Sequence, residues 1–178
     1  GFDPGEGGRG SSFGPCWRRA LREGFSLETD IRDSGGRLVI SHDPGRDGKP
    51  DFAEVLEGWR GDGLLETPTL ALNVKSDGLI PLLNGFRDTL RKGRYFFFDM
   101  SVPEFMRYRN AELVVAVRAS EYERPADLDQ ISRGALRWVW LDGFEREWWL
   151  DSDAMALLGT FDEVVVVSPE LHGRDPAL

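Results

Sequence analysis

Residues 69–101, "TLALNVKSDGLIPLLNGFRDTLRKGRYFFFDMS", decide how the rest of the chain is read. "TLALNVK" (69–75) reads as a buried strand, "LIPLLNGFRDTLRKG" (79–93) as an amphipathic helix ended by Gly93, and "RYFFFDMS" (94–101) as a second strand. Both strands are continuous apolar runs rather than alternations. Runs of that kind, "YFFF" here and "VVVV" at 164–167, suit strands covered on both faces, as in a parallel sheet under helices.

The same rhythm extends in both directions. Downstream, "VPEFMRYRN" (102–110) reads as helix, "ELVVAVRAS" (112–120) as strand, "RPADLDQIS" (124–132) as helix or loop, and "LRWVWLDGF" (136–144) as strand. "DSDAMALLG" (151–159) then reads as helix and "EVVVVSPELHG" (163–173) as strand. Upstream, the glycine-rich residues 1–12 are loop. Ser11 or Ser12 caps a short helix, "FGPCWRRALREG", that ends at Gly24. "FSLETDIRD" (25–33) and "LVISHD" (38–43) are strands joined by the turn "SGGR", and a helical segment surrounds "DFAEVLEGW" (51–59).

Strand and helix thus alternate roughly every 20–25 residues, the pattern of an α/β fold. Each strand ends in polar residues: Glu28 and Asp30, Asn73 and Lys75, Asp99, Arg118, Asp142, Glu170. The alternation fits either a TIM-type (β/α)8 barrel or an open doubly wound sheet, and in a barrel all these strand ends converge on one mouth. Only six or seven strands are counted. The expectation is therefore a single barrel domain over 1–178, incomplete at both ends, with its first strand before Gly1, its last after Leu178, and exposed edges.

Composition narrows the function. The 178 residues are 40% hydrophobic and 30% charged, enough for a sizeable core, and carry a formal charge of -9 that repels nucleic-acid phosphates. Nucleic acid is not an expected partner, and a small molecule is. The single Cys16 excludes an intrachain disulfide framework, and no Cys and His cluster has zinc-ligand spacing, so any metal would be held by oxygen. No apolar run approaches a membrane span and no leader opens the chain, although residue 1 is not Met; cytoplasmic is the default location.

Residues i and i+2 of a strand share a face, so Glu28 and Asp30 repel each other unless a cation lies between them. A hard divalent ion, Mg²⁺ or Ca²⁺, is the natural counter-charge. Asn73 and Lys75 repeat the spacing on another strand, adding a carbonyl oxygen and an ammonium. An ion and an ammonium at one mouth describe an anion pocket, and phosphate is the obvious anion. His42 is the residue type that moves a proton near neutral pH. Each signal has a plainer counterpart: solvated strand-end charges, a structural histidine, a turn-capping lysine. Arg118, Glu121 and Asp142 shape either a substrate pocket or a rim of salt bridges, as do Glu170 and His172. Trp138, Trp140, Trp148 and Trp149 fit core and rim packing.

The segment "GFSLETDIRDSGGRLVISHDP" (24–44) resembles the signature of the glycerophosphodiester phosphodiesterase and phosphatidylinositol phospholipase C-like superfamily: a helix, E-x-D, a glycine turn and a His-Asp pair. The resemblance implies a TIM barrel that cleaves phosphodiesters with a divalent cation and two histidines as general acid and base. It implies Glu28 and Asp30 as metal ligands and His42 as the second histidine. "LALNVK" resembles the strand that supplies a third carboxylate and a lysine, so Asn73 takes the ligand position and Lys75 the phosphate contact. The chain departs from that pattern in three places. It opens at Gly1, where a His-Arg-Gly element would end; Arg9-Gly10 replaces a Glu-Asn or Lys-Asn pair; and Asn73 is neutral, a deficit that Asp99 on the next strand would offset.

Two functions follow. One is a metal-dependent phosphodiesterase acting on glycerophosphodiester-like or lipid-derived substrates; the alternative is a non-catalytic phosphate- or sugar-phosphate-binding barrel. A third class, a carbohydrate hydrolase using Asp142 and Glu170 with tryptophans as a stacking surface, has weaker motivation.

Overall fold

The computed structural model describes residues 13–44, 48–61, 68–123 and 138–175. The chain divides into two compact units, Gly1–Glu104 and Phe105–Leu178.

In the first unit, α1 (Phe13–Arg22) leads to β1 (Leu27–Ser34), which turns into β2 (Arg37–Ile40). The turn forms because Gly35 and Gly36 both take positive φ, 56° and 77°, as a two-residue hairpin loop matched to strand twist requires. Ser34 then lies opposite Arg37 and Ile31 opposite Ile40, antiparallel. After α2 (Phe52–Gly61) come β3 (Thr69–Val74) and β4 (Arg94–Phe98), giving a four-stranded sheet in the order β2-β1-β3-β4. β1, β3 and β4 are parallel. Every residue from Leu70 to Val74 and from Tyr95 to Phe98 is buried, as continuous apolar runs require.

The helix expected over 79–93 is interrupted. It forms α3 (Ile80–Leu83), a 3₁₀ turn (Asn84–Phe86) and α4 (Arg87–Leu90). The break falls on Asn84-Gly85, two weak helix formers in succession. The tighter turn still serves the core, because it puts Phe86 edge-on to Phe52 of α2 at a centroid distance of 5.2 Å.

α5 (Val102–Asn110) crosses the division between the units. Ser101 starts it, its Oγ accepting from the Glu104 N–H at 3.4 Å. The Glu104 side chain is buried and accepts from the Gly78 N–H at 2.8 Å, tying the loop after β3 to this helix.

The second unit holds β5 (Ala116–Ala119), β6 (Trp138–Leu141), α6 (Ser152–Leu158) and β7 (Glu163–Val166), with a parallel sheet in the order β5-β6-β7. β7 corrects the expectation for "VVVV": Val164 and Val166 are exposed and Val165 half-buried. One face of β7 is solvated, which an apolar run alone does not disclose; edge position is not the cause, since β4 is also an edge strand and is buried from Tyr95 to Phe98. The strand expected over 163–173 also stops at Val166, and Pro169–His172 form a 3₁₀ turn. The segment 124–132, residues 1–12 and the proposed cap at Ser11 or Ser12 lie outside the described residues.

The expected TIM barrel is not the architecture. The seven strands among the described residues form two separate sheets of four and three strands, and β2 runs antiparallel to β1, whereas a (β/α)8 barrel is one closed cylinder of parallel strands. The βα rhythm predicted the parallel pairing correctly. It could not predict closure, because alternation is the same in open and closed sheets and only strand pairing between distant segments distinguishes them.

Candidate functional site

Glu28 and Asp30 of β1, Asn73 and Lys75 at the carboxyl end of β3, and Asp99 just after β4 come together. Asp30 lies beside Asn73 in register, and Asn73 beside Phe98, the residue before Asp99. Alternation puts Glu28 on the face of Asp30, and Lys75 on the face of Asn73. The Lys75 N–H continues the ladder to the Ile31 carbonyl at 2.9 Å, which holds the end of β3 against β1.

Lys75 Nζ lies 3.4 Å from Asp30 Oδ1 and 3.6 Å from Asp99 Oδ2, all three side chains being mostly shielded from water. Asp99 reaches this position from a left-handed backbone, φ 65°, which Asp tolerates better than most residues and which turns the chain sharply at the end of β4. Such strain is typical of residues held for a purpose other than packing.

Glu28 keeps more than a third of its surface open, yet enough protein crowds its carboxyl that desolvation is the largest influence on it. Desolvation and the like charge of Asp30 push its pKa above the usual carboxylate range, against the opposing pull of Lys75 and of a hydrogen bond from Asn73. Asn73 is itself buried, 9% exposed, and its Oδ1 has no hydrogen-bond partner among the described residues. An under-coordinated amide oxygen beside two repelling carboxylates is a donor set suited to a hard cation. No group of three or more His, Cys, Asp or Glu able to hold a metal ion occurs among the described residues, so any such site depends on that amide oxygen.

His42 follows β2 in an exposed turn. Its Nδ1 lies 2.9 Å from Asp43 Oδ1, its side chain is 71% exposed, and its carbonyl accepts from Arg32 Nη1 at 2.9 Å. The preceding residue is bonded to the cluster strand, Ser41 N–H to the Asp30 carbonyl at 3.0 Å. Lys49 donates to Ser41 Oγ and to the Asp43 carbonyl. Sequence reading passed over Arg32 and Lys49. Arg32 had a signal, since it continues the i, i+2, i+4 series of Glu28 and Asp30; Lys49 had none.

The other sequence-predicted residues belong to the second unit, where Arg118, Glu121, Asp142 and His172 are engaged, while Glu170 is exposed in the 3₁₀ turn. Arg118 makes a two-pronged ion pair with Glu123, 2.7 and 2.9 Å. The Glu121 carboxylate accepts the backbone N–H groups of Phe144, Glu145 and Arg146 at 2.9–3.1 Å. Desolvation would raise its pKa, but these backbone bonds outweigh it and hold the group below the usual range. Asp142 is buried, with its Oδ1 2.5 Å from His172 Nε2, and the His172 ring packs on Phe144 at 4.6 Å. Gly143 permits this loop: a Cβ there would come within 2.6 Å of the Trp149 ring. Trp138 and Trp148 are buried, in keeping with packing roles.

No helix among the described residues is long and apolar enough to cross a membrane. No family model and no curated protein matches the chain. Among solved structures, the crystal structure of glycerophosphodiester phosphodiesterase from Agrobacterium tumefaciens str. C58 is similar over 87% of this chain and 88% of that one, with 16% sequence identity and a TM-score of 0.43, a likeness too remote to assign fold or activity.

Proposed function

We propose that the first unit is a divalent-cation-dependent phosphodiesterase centre acting on small glycerophosphodiester-like substrates. The observation that carries this reading is the buried, unpartnered Asn73 Oδ1 next to the Glu28–Asp30 pair, with Lys75 alongside. Glu28, Asp30 and Asn73 would hold Mg²⁺ or Ca²⁺, and Asp99 would add charge through Lys75. A bound ion would supply neutralisation of the phosphate and of the charge developing on its oxygens.

The chain's own groups do the rest. Lys75 offers an ammonium to a phosphate oxygen. Asp43 engages His42 Nδ1, which leaves Nε2 as the ring nitrogen that exchanges a proton with substrate. As water oxygen bonds to phosphorus and the P–O bond to the alcohol breaks, the leaving oxygen takes the Nε2 proton. The proton lost by water restores the imidazolium.

The test is hydrolysis of bis(p-nitrophenyl) phosphate or glycerophosphocholine with and without Mg²⁺ or Ca²⁺. Cation-dependent turnover that disappears in His42→Ala supports the proposal. Turnover that is indifferent to both the cation and His42 refutes it. A non-catalytic phosphate-binding unit is favoured by one observation, the neutral Asn73 where a carboxylate would strengthen cation binding; it predicts thermal stabilisation by phosphate with no product released.

A further inference from the structure

An exposed imidazole is a poor proton donor unless something other than packing fixes it, because proton transfer needs the ring within about 3 Å of the accepting atom and free rotamers dilute that geometry. His42 has little packing around its ring. Its backbone is nevertheless held from both sides. On one side Arg32 reaches from the strand that carries Glu28 and Asp30 to the His42 carbonyl at 2.9 Å. On the other, Lys49 donates to Ser41 Oγ and to the Asp43 carbonyl, the two residues flanking the histidine, while Ser41 Oγ donates to that same Asp43 carbonyl at 2.9 Å.

Arg32 is poorly explained as a stabilising residue. It makes no ion pair among the described residues, and its Nε is buried without a hydrogen-bond partner there. A guanidinium left partly unsatisfied costs stability. What it accomplishes is to bind one carbonyl, that of the candidate proton donor. Lys49, likewise, spends its ammonium on a turn of three residues with His42 at its centre. Local unsatisfied polar groups of this kind recur where a site demands them.

We propose that Arg32 and Lys49 are positioning residues for His42, locking the 41–43 turn to the strand that carries the carboxylates. This rests on the phosphodiesterase reading above for its catalytic consequence, but the mechanical claim stands apart from it. Arg32 acts through the His42 carbonyl, and Lys49 through the neighbours of His42. Neither is required to touch substrate.

Two readouts on the full chain test this. The first needs no substrate: order parameters for the backbone amide and ring of His42 from NMR relaxation. Arg32→Met is expected to lower them, Lys49→Met to lower them less, and Arg32→Lys to restore part of the loss. The second is kcat and KM for bis(p-nitrophenyl) phosphate with Mg²⁺. Arg32→Met should lower kcat by about ten- to a hundredfold, with KM and the Mg²⁺-induced thermal shift within twofold of the parent. Unchanged His42 order in both Met variants overturns the proposal, as does a loss of kcat that merely follows the folded fraction. His42→Ala separates the two claims: full turnover in that variant removes His42 from the mechanism, while the order parameters still decide whether Arg32 and Lys49 hold the histidine.

Discussion

The two units treat their strand-end carboxylates differently. In Phe105–Leu178 Asp142, just after β6, has the His172 ring, and nearby loop carboxylates are matched as well: Glu123 with the Arg118 guanidinium, Glu121 with three backbone N–H groups, Glu147 with Arg174. In Gly1–Glu104, Lys75 is faced by both Asp30 and Asp99, Glu28 is held above its usual pKa, and a buried amide oxygen goes unpaired. Satisfied pairs specify a structure and resist change. An unresolved cluster costs stability in the free protein, and a ligand of the right charge relieves that cost, which is why such clusters mark binding sites.

The contrast can be broken most directly by activity. Asp30→Asn or His42→Ala should lower phosphodiester turnover by about 100-fold or more, the range typical of removing a charge-stabilising or proton-transferring group, while leaving the thermal midpoint near that of the parent. Asp142→Ala should do the reverse. It strips a buried partner from His172 and should cost about 2 kcal/mol in denaturant unfolding of the second unit, with turnover per folded molecule unchanged. Turnover lost in Asp142→Ala with stability intact would erase the distinction between the units.

Smaller effects concern pH. Glu121 titrates below the ordinary carboxylate range, so its stabilisation is present above its unfolded pKa and is lost as pH falls through the folded one. Glu121→Gln should lower stability by roughly 1 kcal/mol near neutrality and flatten the acid limb of the stability curve. Glu28 has the opposite sign. Its raised pKa contributes stability that is present below the unfolded pKa and disappears as pH rises through the folded value. Glu28→Gln should therefore raise the melting temperature slightly at neutral pH without added cation, and Mg²⁺ should stabilise the parent but not this variant. A lower melting temperature in that variant would mean that Glu28 is a structural carboxylate like those of the second unit.

Much of the candidate site was legible because it is built from short-range pattern. The i, i+2 spacing put Glu28 with Asp30 and Asn73 with Lys75 on common faces, and parallel pairing of β1 with β3 then brought the two pairs side by side. The hairpin was legible in Gly35-Gly36. Arg118, Glu121 and Asp142 looked equivalent to these residues in sequence, since a polar residue at a strand end reads the same whether or not a partner waits for it. The partner of Asp142, His172, is thirty residues away. Nothing local to either residue announces that pairing. The strand "VVVV" was misread for a similar reason: whether an apolar run is covered on one face or two depends on which distant segments pack over it.

The sequence by itself determined the alternation of strand and helix, the hairpin turn, and which side chains share a strand face, because each follows from backbone periodicity and from residues only a few positions apart. Tertiary structure alone decided that the strands divide into two sheets rather than closing into a barrel, and which carboxylates find a counter-charge. Both depend on distances between segments far apart in the chain, where coulombic and hydrogen-bond energies change within a few ångströms and local pattern carries no record of them.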